Sequence, residues 1–276
     1  MLKIRRIFAY ITLILLVIIC LFPFFMLIIN ITRSHAEILR GFTVVPGNFL
    51  GRNFNNVVNN VNMPIVRATI NSIIIAVGTV AMVLYFSTLT AFGIHAYDFK
   101  LKKVAFVFIL LVMMLPVQLS ALGFINLIEQ MGLRNSFIPF ILPAAASPVT
   151  FFFMIQYMKS TLSIEIIEAA RIDGSHEFMT FNRIVMPLMK PALAVQAIFT
   201  FVGTWNSFFM PALLLDDPDM FTLPVLISRL RGADFVNFDL GQVYMLVGLS
   251  LLPVVIMYFI LSKYIVAGVS LGGVKG

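Results

Sequence analysis

Charge is scarce in this 276-residue chain: Asp, Glu, Lys and Arg make up 11% of it, against 61% hydrophobic residues. So little polar surface cannot cover a water-soluble globule of this length, and the natural solvent for most of the chain is lipid. Cysteine is nearly absent as well. The single Cys20 lies within an apolar run, which excludes any disulfide within the chain. There is no G-x-x-x-x-G-K-[ST] stretch to cradle nucleotide phosphates, and the Gly272, Gly273, Lys275 cluster has neither the spacing nor a preceding strand. There is no H-E-x-x-H, and His35, His95 and His176 stand far apart, which argues against an intramembrane metal enzyme. The net charge of +7 comes from short basic clusters beside long apolar runs. That pattern suits chain ends at an anionic membrane face and excludes a nucleic-acid role.

What the chain does have is six apolar stretches, 7–31, 69–92, 104–124, 137–158, 192–215 and 243–262, none containing Asp, Glu, Lys or Arg. A hydrocarbon core about 30 Å thick takes about 20 residues of helix, so each is long enough to cross. The expected fold is therefore all-α, a six-helix integral membrane protein. The basic start MLKIRR precedes a run too long for a signal peptide and lacking a small-x-small site, so 7–31 reads as an uncleaved first span. With the N-terminus inside, 12 of the 19 Lys and Arg fall on the inner side, which places both termini in the cytoplasm. Four arginines in the 31–68 loop narrow that margin.

The spans differ in texture. Pro139, Pro143 and Pro148 surround Ala144 to Ser147, predicting a bent fourth helix that is either a packed kink or a wall of the pathway. The loops 31–68, with NFNNVVNNVN, and 216–242, with DDPD, read as polar caps, either solvated or docking surface. Proton-coupled carriers generally keep a carboxylate or His at membrane depth, and these spans lack one. Sodium coupling through backbone carbonyls stays open, so an ion-coupled secondary transporter is the alternative reading.

The polar segment 159–190 reads as two short helices joined at a glycine. Ser163 is a candidate N-cap for SIEIIEAARID, Glu165 suits the positive first turn, and Gly174 suits the left-handed C′ position. Ser175 is then expected to cap SHEFMTFNRIV, which should stop before Pro187 with Phe178, Phe181, Ile184 and Val185 on one stripe. Ala169 and Ala170 allow close approach, and Glu168 and Arg171 offer ion pairs. On these residues alone, an interfacial helix pair and a docking knuckle for a soluble partner fit equally well.

The spacing E-A-A, three residues, G, nine residues, then Ile184, Met186 and Pro187 resembles the EAA loop of binding-protein-dependent ABC importer permeases. Met186 stands where that pattern has Leu, a volume-conserving swap. TWNSFFMPALLL and the chain end VAGVSLGGVKG resemble the carbohydrate-uptake branch, the MalG type. The resemblance implies a type I ABC importer permease fold as one transmembrane domain, 1–276, in a bacterial cytoplasmic membrane. It implies ATPase coupling at Glu168, Ala169, Ala170, Arg171, Asp173, Gly174, Phe178, Ile184 and Pro187. It also implies a contact of the tail 263–276 with the ATPases through Gly272, Gly273, Val274, Lys275 and Gly276. The implied partners are a second, MalF-like permease, two ATP-binding subunits and an extracellular solute-binding protein. ATP and Mg²⁺ would sit on the partner ATPases, and this chain would bind no cofactor or metal and catalyse nothing. Trp205, Asn206 and Ser207 in the fifth span suit a sugar route, by stacking and amide hydrogen bonding, or equally a packed helix contact. The tail from Val266 onward, small and glycine-rich, is expected to be disordered by itself.

Overall fold

The computed structural model describes residues 2–59, 64–232 and 239–272. Among the described residues every regular element is helical. In chain order these are α1 (Leu2–Ile31), α2 (His35–Leu39), α3 (Leu50–Val58), α4 (Ile65–Ala96), α5 (Lys102–Met113), α6 (Val117–Gln130), α7 (Ile138–Ile141), a 3₁₀ turn (Pro143–Ala145) and α8 (Pro148–Thr161). Then come α9 (Ile164–Ile172), α10 (Glu177–Thr180), a π-helical turn (Phe181–Val185), α11 (Met186–Leu188), α12 (Lys190–Trp205), α13 (Phe209–Leu214), a second 3₁₀ turn (Pro218–Met220), α14 (Leu223–Gly232) and α15 (Leu240–Gly272).

Four segments among the described residues are long and apolar enough to cross a bilayer: Arg5–Ile31, Ile65–Ala96, Ile138–Thr161 and Leu240–Ser262. The pair Glu177–Leu188 and Lys190–Trp205, bent by 79°, makes a fifth if taken as one span. The chain is a multi-pass membrane protein. The stretch 104–124 is not one helix: Pro116 lacks an N–H and disfavours helical backbone at Leu115, so α5 ends at Met113 and α6 starts at Val117. The stretch 192–215 also breaks, between Trp205 and Phe209. The last helix is longer than the stretch 243–262. It starts at Leu240, passes through Pro253, and carries the tail as helix to Gly272, which corrects the expectation of disorder from Val266. Gly273, Val274, Lys275 and Gly276 lie outside the described residues.

The chain forms two compact units. The first comprises Met1–Ala68 and Val225–Leu252. Its α1 has no buried residue from Arg5 to Ile28, so lipid or another chain must cover that helix. The following segment folds back on itself around Arg33, which is only 6% exposed and donates to Asn30 Oδ1 (3.1 Å), Gly41 O (3.1 Å) and Glu37 O. Buried Asn53 donates to Ile31 O (2.8 Å) and Arg33 O (2.9 Å), and Ser34 with Glu37 forms a capping box on α2. Gly241 approaches this knot so closely that an added Cβ would lie 2.8 Å from Asn53 Oδ1 and 2.9 Å from Arg33 O.

The second unit, Thr69–Pro224 with Pro253–Gly276, is organised by α4. Gly78 lets Ile141 of α7 come so near that a Cβ there would meet it at 2.8 Å. Where the prolines break the fourth apolar stretch, hydroxyls of α4 reach across: Thr79 Oγ1 donates to Phe140 O and Ser87 Oγ to Ser147 O, each at 3.3 Å. The predicted kink is thus a 3₁₀ turn and an extended corner at Ala146–Ser147 between α7 and α8. At the other side of α4, Asn71 Nδ2 donates to Asp219 O and Phe221 O, and Ser72 Oγ accepts from Leu223 N. The acidic DDPD loop is further held by Asn135 Oδ1, which accepts from Asp216 N and Asp217 N, and by Arg134, paired with Asp216 and Glu129.

Candidate functional site

The glycine-jointed polar segment is a bent pair of helices. Ser163 holds the N-cap position of α9 with extended backbone and makes no side-chain cap hydrogen bond. At the other end the chain closes a complete Schellman motif: Ser175 N donates to Ala170 O (2.9 Å) and Gly174 N to Arg171 O (3.0 Å), with Gly174 at φ +76°. Nothing lies within 4 Å of where a Gly174 Cβ would stand, so the requirement for glycine there is conformational and not spatial.

The second half departs from expectation in three ways. Its N-cap is His176, while Ser175 Oγ instead accepts from Thr180 Oγ1 (2.9 Å). After α10 comes the π-helical turn, closed by Met186 N donating to Phe181 O. The helix then continues through Pro187 to Leu188 and bends at Met189, beyond the expected stop. The additional residue in the π turn changes the register. Phe181, Val185 and Met189 share the buried stripe, whereas Phe178 points outward, 70% exposed, and Ile184 is only half-buried. A period of 3.6 had put Phe178 and Ile184 on that stripe.

The knuckle is fused to the membrane helices behind it. Ile167, Phe181, Val185 and Met189 enter one core with Ala91, Phe92 and Ile94 of α4 and Phe151, Met154, Ile155 and Met158 of α8. Phe181 is set edge-on to Tyr85 (centroids 5.5 Å) and tilted against Phe92 (5.7 Å). His95 Nε2 donates to Leu162 O (2.9 Å) at the entry to α9. The Arg171 guanidinium stacks over the Tyr97 ring at 5.2 Å and its Nε donates to Glu177 Oε1 at 2.7 Å. Arg171, with Tyr97 beside it, holds the Glu177 carboxyl below its usual range. Burial first, then the neighbouring Glu177, raises the Tyr97 phenol, with Arg171 opposing. Tyr97 and His95 were not legible as site residues, because their partners lie 65 or more positions away in the sequence.

The uncovered side of the knuckle mixes apolar and acidic groups. Ile166, Ala169 and Ile172 follow at i, i+3 and i+6, and Ile172 is 86% exposed. Glu165, Glu168 and Asp173 are exposed around them. Ala170 is buried in the core behind, so only Ala169 is free for close approach by a partner. Ile172 carried no signal in the sequence beyond its place before Asp173.

The fifth-span residues separate. Trp205 is buried and stacked on Phe201 (5.8 Å, interplanar angle 11°). Asn206 is exposed, with its amide donating only locally to Val202 O (2.9 Å), and Ser207 is half-buried in the break. Among the described residues no group of three or more His, Cys, Asp or Glu is placed to hold a metal.

Comparison with known proteins agrees over nearly the whole chain. The family profile described as "Binding-protein-dependent transport system inner membrane component" matches residues 86–271. The arabinooligosaccharides transport system permease protein AraQ of Bacillus subtilis is 33% identical, over 93% of this chain and 91% of its own. The sn-glycerol-3-phosphate transport system permease protein UgpE of Yersinia pestis is 30% identical, over 95% of each. In fold, the chain is similar to one in the crystal structure of a bacterial ABC transporter that imports the acidic polysaccharide alginate. The TM-score is 0.82 at 21% identity, covering 95% of this chain and 96% of that one. A crystal structure of a bacterial alginate ABC transporter with an alginate pentasaccharide-bound periplasmic protein aligns at TM-score 0.59 and 15% identity, over 94% of each chain.

Proposed function

This chain belongs to the family of binding-protein-dependent transport system inner membrane components, and from that premise we propose that it forms half of the pathway of an ATP-driven importer of sugars or oligosaccharides. It is a non-catalytic permease subunit, and family membership favours ATP-driven transport over the ion-coupled alternative. In the proposed assembly it pairs with a second permease and two ATPase subunits that carry ATP and Mg²⁺, and receives solute from an extracellular binding protein. The setting is a bacterial cytoplasmic membrane, with six spans and both termini inside. The broken stretch 102–130 counts as the third span and 190–214 as the fifth. Two of the seven arginines assigned outside, Arg33 and Arg134, are tied up in folding loops, which supports that orientation despite the narrow margin in the raw count.

One observation carries the coupling role: the knuckle is buried on one side in the core of the spans, while its other side presents Ile172 and Phe178 to solvent beside exposed Glu168 and Asp173. A helix pair lying on a membrane would have no reason to ring its apolar tip with carboxylates; a cleft in a soluble ATPase gives one. ATP-driven closure of the ATPases would push on this tip and turn the cavity outward. Asn206 and Ser207 then face the solute path, with Trp205 as the packed wall behind them. The tail, helical to Gly272, is the segment that would reach the ATPases. The test is co-purification. The intact chain should retain the ATPase subunits and hydrolyse no ATP without them, and Glu168→Lys, which reverses an exposed charge, should release them at least tenfold faster. Normal retention and import by Glu168→Lys would reduce the knuckle to a surface helix pair.

A further inference from the structure

We propose that the C-terminal end of α4 is the element through which the knuckle drives the membrane helices, with His95 and Tyr97 as the positioning residues that lock the two together; this rests on the coupling reading above. Along the chain the knuckle is joined to its neighbouring helices only at two bends. One is the extended step at Leu162–Ser163 after α8, and the other is the 79° bend at Met189 before α12. A push applied at Ile172 can be lost as rotation about those two bends. What prevents it is a set of ties that run across to α4 and bypass both.

There are three ties, at different points along the knuckle. At its entry His95 donates to Leu162 O, a carbonyl at the C-cap of α8 on a residue only 2% exposed. In its second half Phe181 wedges between Tyr85 and Phe92. At its waist Tyr97, the first residue after α4, lies under the Arg171 guanidinium, while Arg171 itself spans the Gly174 bend to reach Glu177. Tyr97 thus sits against both arms of the bent pair: it packs under Arg171 of α9, whose Nε donates to Glu177 of the second arm, and it lines one groove with Glu177. Leu89, Phe92, Gly93, Tyr97, Glu177 and Phe181 line the groove between the pair and α4, with exposed Phe178 at its open rim. The two arms and α4 therefore move as one body, and displacement of the tip becomes displacement of α4. The hydroxyl ties of Thr79 and Ser87 pass it on to the broken fourth span.

The experiment uses the assembled complex, with Cys20→Ser and a reporter cysteine at exposed Thr90 on α4, alkylated by N-ethylmaleimide with and without ATP and vanadate. ATP-vanadate should change the Thr90→Cys alkylation rate at least fivefold in the otherwise unaltered complex. Tyr97→Ala and His95→Leu should cut that change below twofold while keeping the ATPase subunits bound and ATP turnover within twofold. Tyr97→Phe, which keeps the ring under Arg171, and His95→Gln, which keeps a donor for Leu162 O, should each restore most of it. A fivefold response persisting in both Tyr97→Ala and His95→Leu overturns the proposal. So does loss of response that tracks only a fall in the thermal stability of the complex, or that the conservative variants fail to restore. If even the unaltered complex shows no ATP-dependent change, the coupling reading itself fails and takes this inference with it.

Discussion

Two polar segments interrupt this apolar chain, 32–58 and 163–189, and an arginine organises each, in opposite ways. Arg33 is buried, and its guanidinium satisfies three oxygens of its own loop. Arg171 is over a third exposed and holds a tyrosine from α4 and a carboxylate across a bend. The first arrangement closes a segment on itself, and the second leaves an apolar tip uncovered while bracing what lies behind it. Glycine follows the same division. Gly241 is required because side-chain and main-chain atoms of the Arg33 knot fill the space around it, and Gly174 because of its φ alone, in open space.

The comparison breaks most visibly at Arg33. Arg33→Met should leave the buried Asn30 oxygen and the partly buried Glu37 and Gly41 carbonyls without their donor, destabilising the segment by about 2–3 kcal/mol. Hydrogen exchange should show lost protection confined to 32–58, with ATPase retention unchanged. The glycines come next. Gly241→Ala should cost about 1–3 kcal/mol by overpacking. Gly174→Ala should cost about 1 kcal/mol through its backbone, with Gly174→Asn nearly neutral because Asn tolerates the left-handed region. Thermal unfolding of the two Asn variants sharpens the contrast, since Gly241→Asn should be far worse than Gly241→Ala.

The smallest effect is on pH. Arg171 first, then Tyr97, keeps the Glu177 carboxyl below 4.5, so its stabilisation is present above that value and disappears as pH falls through the lower, folded value. The Tyr97 phenol is raised above 10.0, so its contribution is present below 10.0 and is lost as pH rises through the raised value. The protection of α9 amides relative to their intrinsic exchange should therefore be flat across neutral pH and fall only at the acid and alkaline ends. Arg171→Gln should move the acid edge upward.

Local chemistry was legible in the sequence and distant pairing was not. Gly174 announces its left-handed turn, and Pro143 and Pro148 announce the broken span, because each restricts its own backbone. Phe178 was misplaced because the π turn that rotates it outward is set by Phe181 and Val185 entering a core supplied by α4 and α8. In the sequence Arg33 is one of four arginines in the 31–68 loop, and only the fold brings Asn30 and Gly41 to it. Hydropathy alone makes 104–124 one span, whereas the missing amide of Pro116 divides it into α5 and α6.

The bare flank of α1 has a consequence for the order in which the protein is made. With no buried side chain from Arg5 to Ile28, this helix needs nothing later in the chain to become stable in lipid, and it can leave the translocon as soon as it is synthesised. The core behind the knuckle is different, since it joins Ala91 to Met189 and stays incomplete until the ribosome has passed Met189. Over that interval α4 must wait in the bilayer with Phe92 still lacking Phe181, which makes it the span that a membrane chaperone or quality-control protease would meet first.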